Sequence, residues 1–103
     1  MTTARLSDKD GQYLVSLSGH AESGPKGEDI VCAAISSLVL AYASYVQDEG
    51  GVTVDTFRVD NGDVDIRCSG NTDKLQPAFD MLLAGLIGIE ASHEKNLKVF
   101  LYG

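Results

Sequence analysis

The chain has 103 residues, enough for one domain around one core and too few for a second. A hydrophobic share of 44% is ordinary for a soluble globular protein and leaves no composition bias toward a fibrous or disordered chain. The formal charge of −7, from 15 acidic and 8 basic side chains, repels a phosphate backbone, so direct nucleic-acid binding is disfavoured and a basic protein partner is favoured.

Residues 3–8 read as a short strand, with Ala4 and Leu6 alternating against Thr3, Arg5 and Ser7. Asp10-Gly11 is a hairpin signal, because glycine accepts the positive φ of a tight turn. Tyr13, Val15 and Leu17 then alternate with Leu14, Ser16 and Ser18, and this second strand ends at Gly19-His20. Gly24, Pro25 and Gly27 interrupt regular structure. From about Glu28 the period changes. Val31, Ile35, Leu38, Val39, Tyr42 and Val46 recur at three- and four-residue spacing, which predicts a helix with one buried face. Glu28 and Asp29 stand at its start, where negative charge suits the helix dipole, and Gly50-Gly51 ends it. Val52 to Val59 is a third strand, rich in β-branched residues. Asn61-Gly62 is the strongest hairpin signal in the chain. Val64, Ile66 and Cys68 alternate with Asp63, Asp65 and Arg67, a strand with one wet face. Gly70-Asn71-Thr72-Asp73 reads as a turn and helix cap, and Pro77 fits only near a first helical turn. Phe79, Leu82, Leu83, Leu86 and Ile87 form the apolar face of the second helix. Gly85 and Gly88 would let a neighbouring backbone approach. Lys98 to Tyr102 is a last strand.

The fold expected is α+β: a single domain over residues 1–103 in the order ββαββαβ, with a mostly antiparallel sheet and two helices packed on one face. The longest apolar run, around Ile35 to Val46, is broken by Ser36, Ser37 and Ser44 and reads as too short to span a membrane. No signal-like apolar block follows Met1-Thr2-Thr3-Ala4-Arg5, so a cytoplasmic location is expected. There the two cysteines, Cys32 and Cys68, are expected to be reduced. No CxxC pair and no Cys/His cluster has zinc spacing, and neither a metal nor an organic cofactor is expected.

Two residues stand out chemically. His20 ends an apolar strand, and Cys32 lies in the opening turns of a helix twelve positions later. A thiol becomes a strong nucleophile when a histidine and a helix N-terminus favour the thiolate. The bland readings compete: most cysteines on an apolar helix are small core residues. A strand-end histidine is commonly just hydrogen-bonded, and Asp29 suits any first helical turn. Ser36 lies one turn beyond Cys32 and can share its face. Gly19 can simply terminate a strand. Ala33 and Ala34 would keep cleft walls small. Cys68 reads as a core-facing thiol, and His93 as a helix-end residue in a solvated stretch.

Gly19-His20-Ala21, followed by the run Gly27-Glu28-Asp29-Ile30-Val31-Cys32-Ala33-Ala34-Ile35-Ser36, resembles the ribosomal-processing cysteine proteases, the Prp family. The resemblance spans the chain's length and its order of elements. It implies that Cys32 is the nucleophile and His20 the catalytic histidine, with Asp29, Ser36 and Gly19 as supporting motif positions. It implies a substrate, the precursor of a large-subunit ribosomal protein (L twenty-seven) whose N-terminal extension is cut after an apolar stretch ending in an aromatic residue. It also implies a homodimer. Residues Glu22–Gly27, with two glycines and a proline, suit a gate over the site. Two other classes compete with this reading. One is a non-catalytic dimeric module that binds ribosomal proteins or assembly factors. The other is a thiol-redox protein, disfavoured by the lack of a resolving cysteine near Cys32.

Overall fold

Period-two alternation builds a five-stranded sheet. The computed structural model describes residues 1–19, 30–60 and 62–102. Its elements are β1 (Thr2–Lys9), β2 (Gln12–Ser18), α1 (Ile30–Asp48), β3 (Val52–Asp60), β4 (Asp63–Gly70), α2 (Thr72–Ser92) and β5 (Leu97–Tyr102). This is the α+β, ββαββαβ order the sequence predicts. Leu6, Val15 and Ile66 sit on neighbouring strands in one register line, and all three are fully buried. Arg5, Ser16 and Asp65 form the next line and point to the opposite, wet face. Asp10 and Gly11 take positive φ of 55° and 75°, the turn whose twist matches a two-residue hairpin.

The strands lie in the order β3-β4-β2-β1-β5. Every pair is antiparallel except β1 with β5, which run parallel. A parallel return needs a crossover, and α2 supplies it. β3 and β5 are the two edges.

Both helices cover one face. α1 buries Val31, Ile35, Val39, Tyr42 and Val46, and α2 buries Leu75, Phe79, Leu82 and Leu86. Each such side chain contributes about 1.5–3 kcal/mol when taken from water. Several expectations need correction. Leu38 is only partly buried, because it faces α2 rather than the sheet. Ile87 is exposed at 47%, because it lies off the stripe that Phe79, Leu82 and Leu86 set. Pro77 stands in the second turn of α2, five residues after the helix begins at Thr72. Asn71 makes no side-chain cap; its Nδ2 donates instead to the Gly50 carbonyl at 2.6 Å, tying the two helix-strand junctions together. Gly85 makes room for the Leu38 side chain, not for backbone, and Gly88 faces open space.

By length and composition α1 is apolar enough to cross a membrane, with 19 residues and a mean hydropathy of 1.7, contrary to the expectation from its serines. Val, Ile, Leu and Ala outweigh Ser36, Ser37 and Ser44. Its stripe from Val31 to Val46 is spent on the sheet, as in a core helix of a globular fold.

Candidate active site

Cys32 is the third described residue of α1 and is partly buried. Ser36 follows one turn later and Leu40 a second turn later, so the three form one stripe along the helix. That stripe is one wall of a cleft of about 260 Å³. Its floor is apolar, from Leu17 of β2 and Ile35 and Val39 of α1. The opposite wall is the β3–β4 hairpin, with Val59 and Val64 inside and Asp60 and Asp63 at the rim. Asp60 and Asp63 are cross-strand partners, and Arg58 offsets their repulsion by an ion pair to Asp63 at 3.2 Å.

Gly19 also lines the cleft. Its φ is +90°, and its N–H donates to the Gly62 carbonyl at 3.0 Å. A Cβ at Gly19 would overlap the Met1 carbonyl oxygen. So Gly19 does more than terminate a strand. It pins the end of β2 between the first residue and the second hairpin, immediately before His20 in the chain.

The structure therefore brings Cys32, Ser36 and Gly19 to one cleft. His20, Asp29 and the segment Glu22–Gly27 lie outside the described residues. Ala33 and Ala34 do not line the cleft. Ala34 instead faces a groove toward α2, and Ala33 is exposed, because they fall on other sides of the helix.

The two thiols sit in different surroundings, and no disulfide joins them. Cys68 is 2% exposed, with the Tyr42 hydroxyl 3.7 Å from its sulfur. Burial pushes the Cys68 thiol up, Tyr42's hydrogen bond opposes this, and the Asp55 charge adds to the rise. Such a thiol keeps its proton and acts as a core residue, as expected. Cys32, by contrast, is partly buried and lines the cleft near the start of α1. His93 corrects another expectation: it is half-buried, and its Nδ1 is inaccessible to solvent. Among the described residues no cluster of His, Cys, Asp and Glu could hold a metal ion.

A thiol near the start of a helix, on the wall of a largely apolar cleft, agrees with a family of known proteins. The family model for the cysteine protease Prp matches residues 1–98. This chain belongs to the Prp family of cysteine proteases. Among solved structures it is similar to the ribosomal processing protease Prp from Staphylococcus aureus with a covalently linked product peptide. The TM-score is 0.85 at 25% identity, over 99% of this chain and 100% of that one. It is also similar to SMU.848 from Streptococcus mutans, with a TM-score of 0.74 at 26% identity over 98% and 93% of the two chains. No curated protein sequence matches it. Membership in Prp makes the chain a ribosomal-processing cysteine protease and decides against the non-catalytic module and the redox protein.

Sequence reasoning missed the hairpin wall. Val59, Asp60, Asp63 and Val64 read only as strand residues around an Asn-Gly turn. Their place opposite Cys32 follows from β4 pairing with β2 beneath α1, a long-range fact with no local signature.

Proposed function

We propose that this Prp-family chain removes the N-terminal extension from the precursor of a large-subunit ribosomal protein (L twenty-seven), in the cytoplasm and as a homodimer. The observation that carries the reading is Cys32 near the head of α1, lining a largely apolar cleft of about 260 Å³. The apolar floor suits a cut beside an apolar stretch, and the acidic surface suits a basic ribosomal protein.

In this reading His20 takes the Cys32 proton. The thiolate Sγ attacks the scissile carbonyl carbon and forms a tetrahedral oxyanion, which helix-start amides are suited to stabilise. The C–N bond breaks, His20 gives its proton to the leaving amine, and a thioester remains on Cys32. Water then attacks the thioester carbonyl, and the carboxylate product leaves as the thiol re-forms. Asp29, Ser36 and Gly19 serve as supporting positions.

The test is intact-mass analysis of the extended ribosomal protein after incubation with the chain. Loss of one N-terminal fragment, cut after an aromatic residue, is expected. A precursor that stays full length with well-folded protein contradicts the reading.

A further inference from the structure

The sheet face turned away from the helices, and from Cys32, carries most of the chain's cations. Arg5, Lys9, Arg58, Arg67 and Lys98, five of the 8 basic side chains, stand on it. Register and alternation fix the side. On β5, Phe100 pairs with Arg5 and Tyr102 with Ser7, both on the open face. Leu101 between them pairs with the buried Leu6 on the helix side. Phe100 is 44% exposed and Tyr102 52%. Their rings lie side by side, 23° from parallel, with centroids 6.5 Å apart.

The net charge of −7 averages over regions that the fold separates. The acids of the open face, Asp60, Asp63 and Asp65, lie on β3 and β4. There they hold two of the five cations: Arg58 pairs with Asp63 at 3.2 Å and Arg67 with Asp65 at 3.1 Å. Among the described residues, the open face of β1, β2 and β5 carries no acid, and Arg5, Lys9 and Lys98 make no ion pair. Asp8 is turned to the helix side, where it accepts from Gln76, and Asp10 stands beyond Lys9 at the hairpin tip. One half of the open face is therefore cationic on an acidic chain, and its two large aromatic rings lie bare along the same strand pair. An acidic peptide would use the cations and leave the rings idle. A single-stranded nucleic acid uses both, phosphates on the cations and bases on the ring faces.

We infer that the open face of β1 and β5 binds single-stranded RNA, with Arg5, Lys9 and Lys98 on the phosphates and Phe100 and Tyr102 under the bases. Lys98 to Tyr102 is about 13 Å of strand, and sheet platforms of this kind stack about two or three bases. Charge complementarity and the paired rings select the nucleic acid. The choice of RNA over DNA rests on the ribosomal-processing reading of the chain. The surface lies on the far side of the sheet from Cys32, so binding and peptide cleavage are separable.

The experiment titrates the full chain, by fluorescence anisotropy, into three labelled probes of about eight units: oligouridylate RNA, oligothymidylate DNA and oligoaspartate peptide. RNA is expected to saturate with a dissociation constant of about 10⁻⁶–10⁻⁴ M at low salt. Its log–log salt slope should be about −2, from about 0.7 for each of three neutralised phosphates. Phe100→Leu keeps an apolar side chain on the strand but removes the ring, and should weaken RNA binding about tenfold with the salt slope unchanged. Arg5→Ser should reduce the slope by about 0.7. Thermal melts confirm that both variants fold. RNA that does not saturate by about 1 mM overturns the inference. So does RNA binding that both variants keep at wild-type strength. Oligoaspartate bound as tightly as RNA, without loss in Phe100→Leu, also overturns it and gives the face to an acidic protein. DNA bound more tightly than RNA overturns the choice of RNA. A chain that binds RNA through Phe100 and Arg5 but cleaves no precursor supports this inference and sinks the proteolytic reading instead.

Discussion

At the residue scale, two cysteines in one small chain sit in opposite surroundings. Cys32 opens onto a cleft at a helix start; Cys68 is sealed beneath Tyr42. Cys32→Ala should lower peptide cleavage by at least about 10³-fold, as expected for loss of a nucleophile, with an unchanged melting curve, and Cys68→Ala should retain most turnover. His20→Ala should lower kcat by about 10²–10⁴-fold and leave KM nearly unchanged; near-wild-type kcat across neutral pH would make it structural. The buried pair also sets an alkaline limit. Burial raises the Tyr42 hydroxyl, with Cys68 reinforcing it, and burial raises the Cys68 thiol. Both groups hold their protons more tightly folded than unfolded, so stability is full below their unfolded values of 9.0 and 10.0. It then falls as pH rises through that range, by up to about 1.4 kcal/mol per pH unit for each group. Urea unfolding from pH 7 to 11 should show this decline, and Tyr42→Phe should flatten it. The place of Cys32 near a helix start was legible from the change to helical spacing, and the burial of Cys68 from its alternation with acids.

At the element scale, the hairpins and helices were legible because each has a local cause. Asp10-Gly11 supplies positive φ, the strands alternate, and α1 repeats apolar residues at helical spacing. What local pattern could not separate was the edge of a helix face from its centre, which is why Ile87 and Leu38 came out less buried than their spacing implies. Glycines make the same point. Gly88 lies inside α2 with open space around it, so Gly88→Ala should stabilise the chain by about 0.8–1 kcal/mol through helix propensity. Gly19 has positive φ and a backbone carbonyl in the way, so Gly19→Ala should destabilise by more than 1 kcal/mol. It should also depress activity, since it shifts the end of β2 beside the cleft. Paired urea titrations of the two variants decide both; equal effects would mean the backbone at Gly19 relaxes freely.

At the scale of the whole molecule, the sequence carried the element order but not the strand order. Nothing local says that β4 lies between β3 and β2, or that β5 returns parallel to β1. Yet that order makes the site. It places the β3–β4 hairpin opposite Cys32 and makes β3 an edge strand of the sheet among the described residues. In the proposed reaction, hydrolysis runs through Cys32 in this cleft. The most direct measurement is acid-quenched peptide mapping by mass spectrometry during turnover of the extended ribosomal-protein precursor. The expected result is the acyl fragment as a thioester on Cys32, lost in the Cys32→Ala protein together with cleavage. An acyl group on Cys68, or cleavage that persists in a folded Cys32→Ala chain, would contradict it.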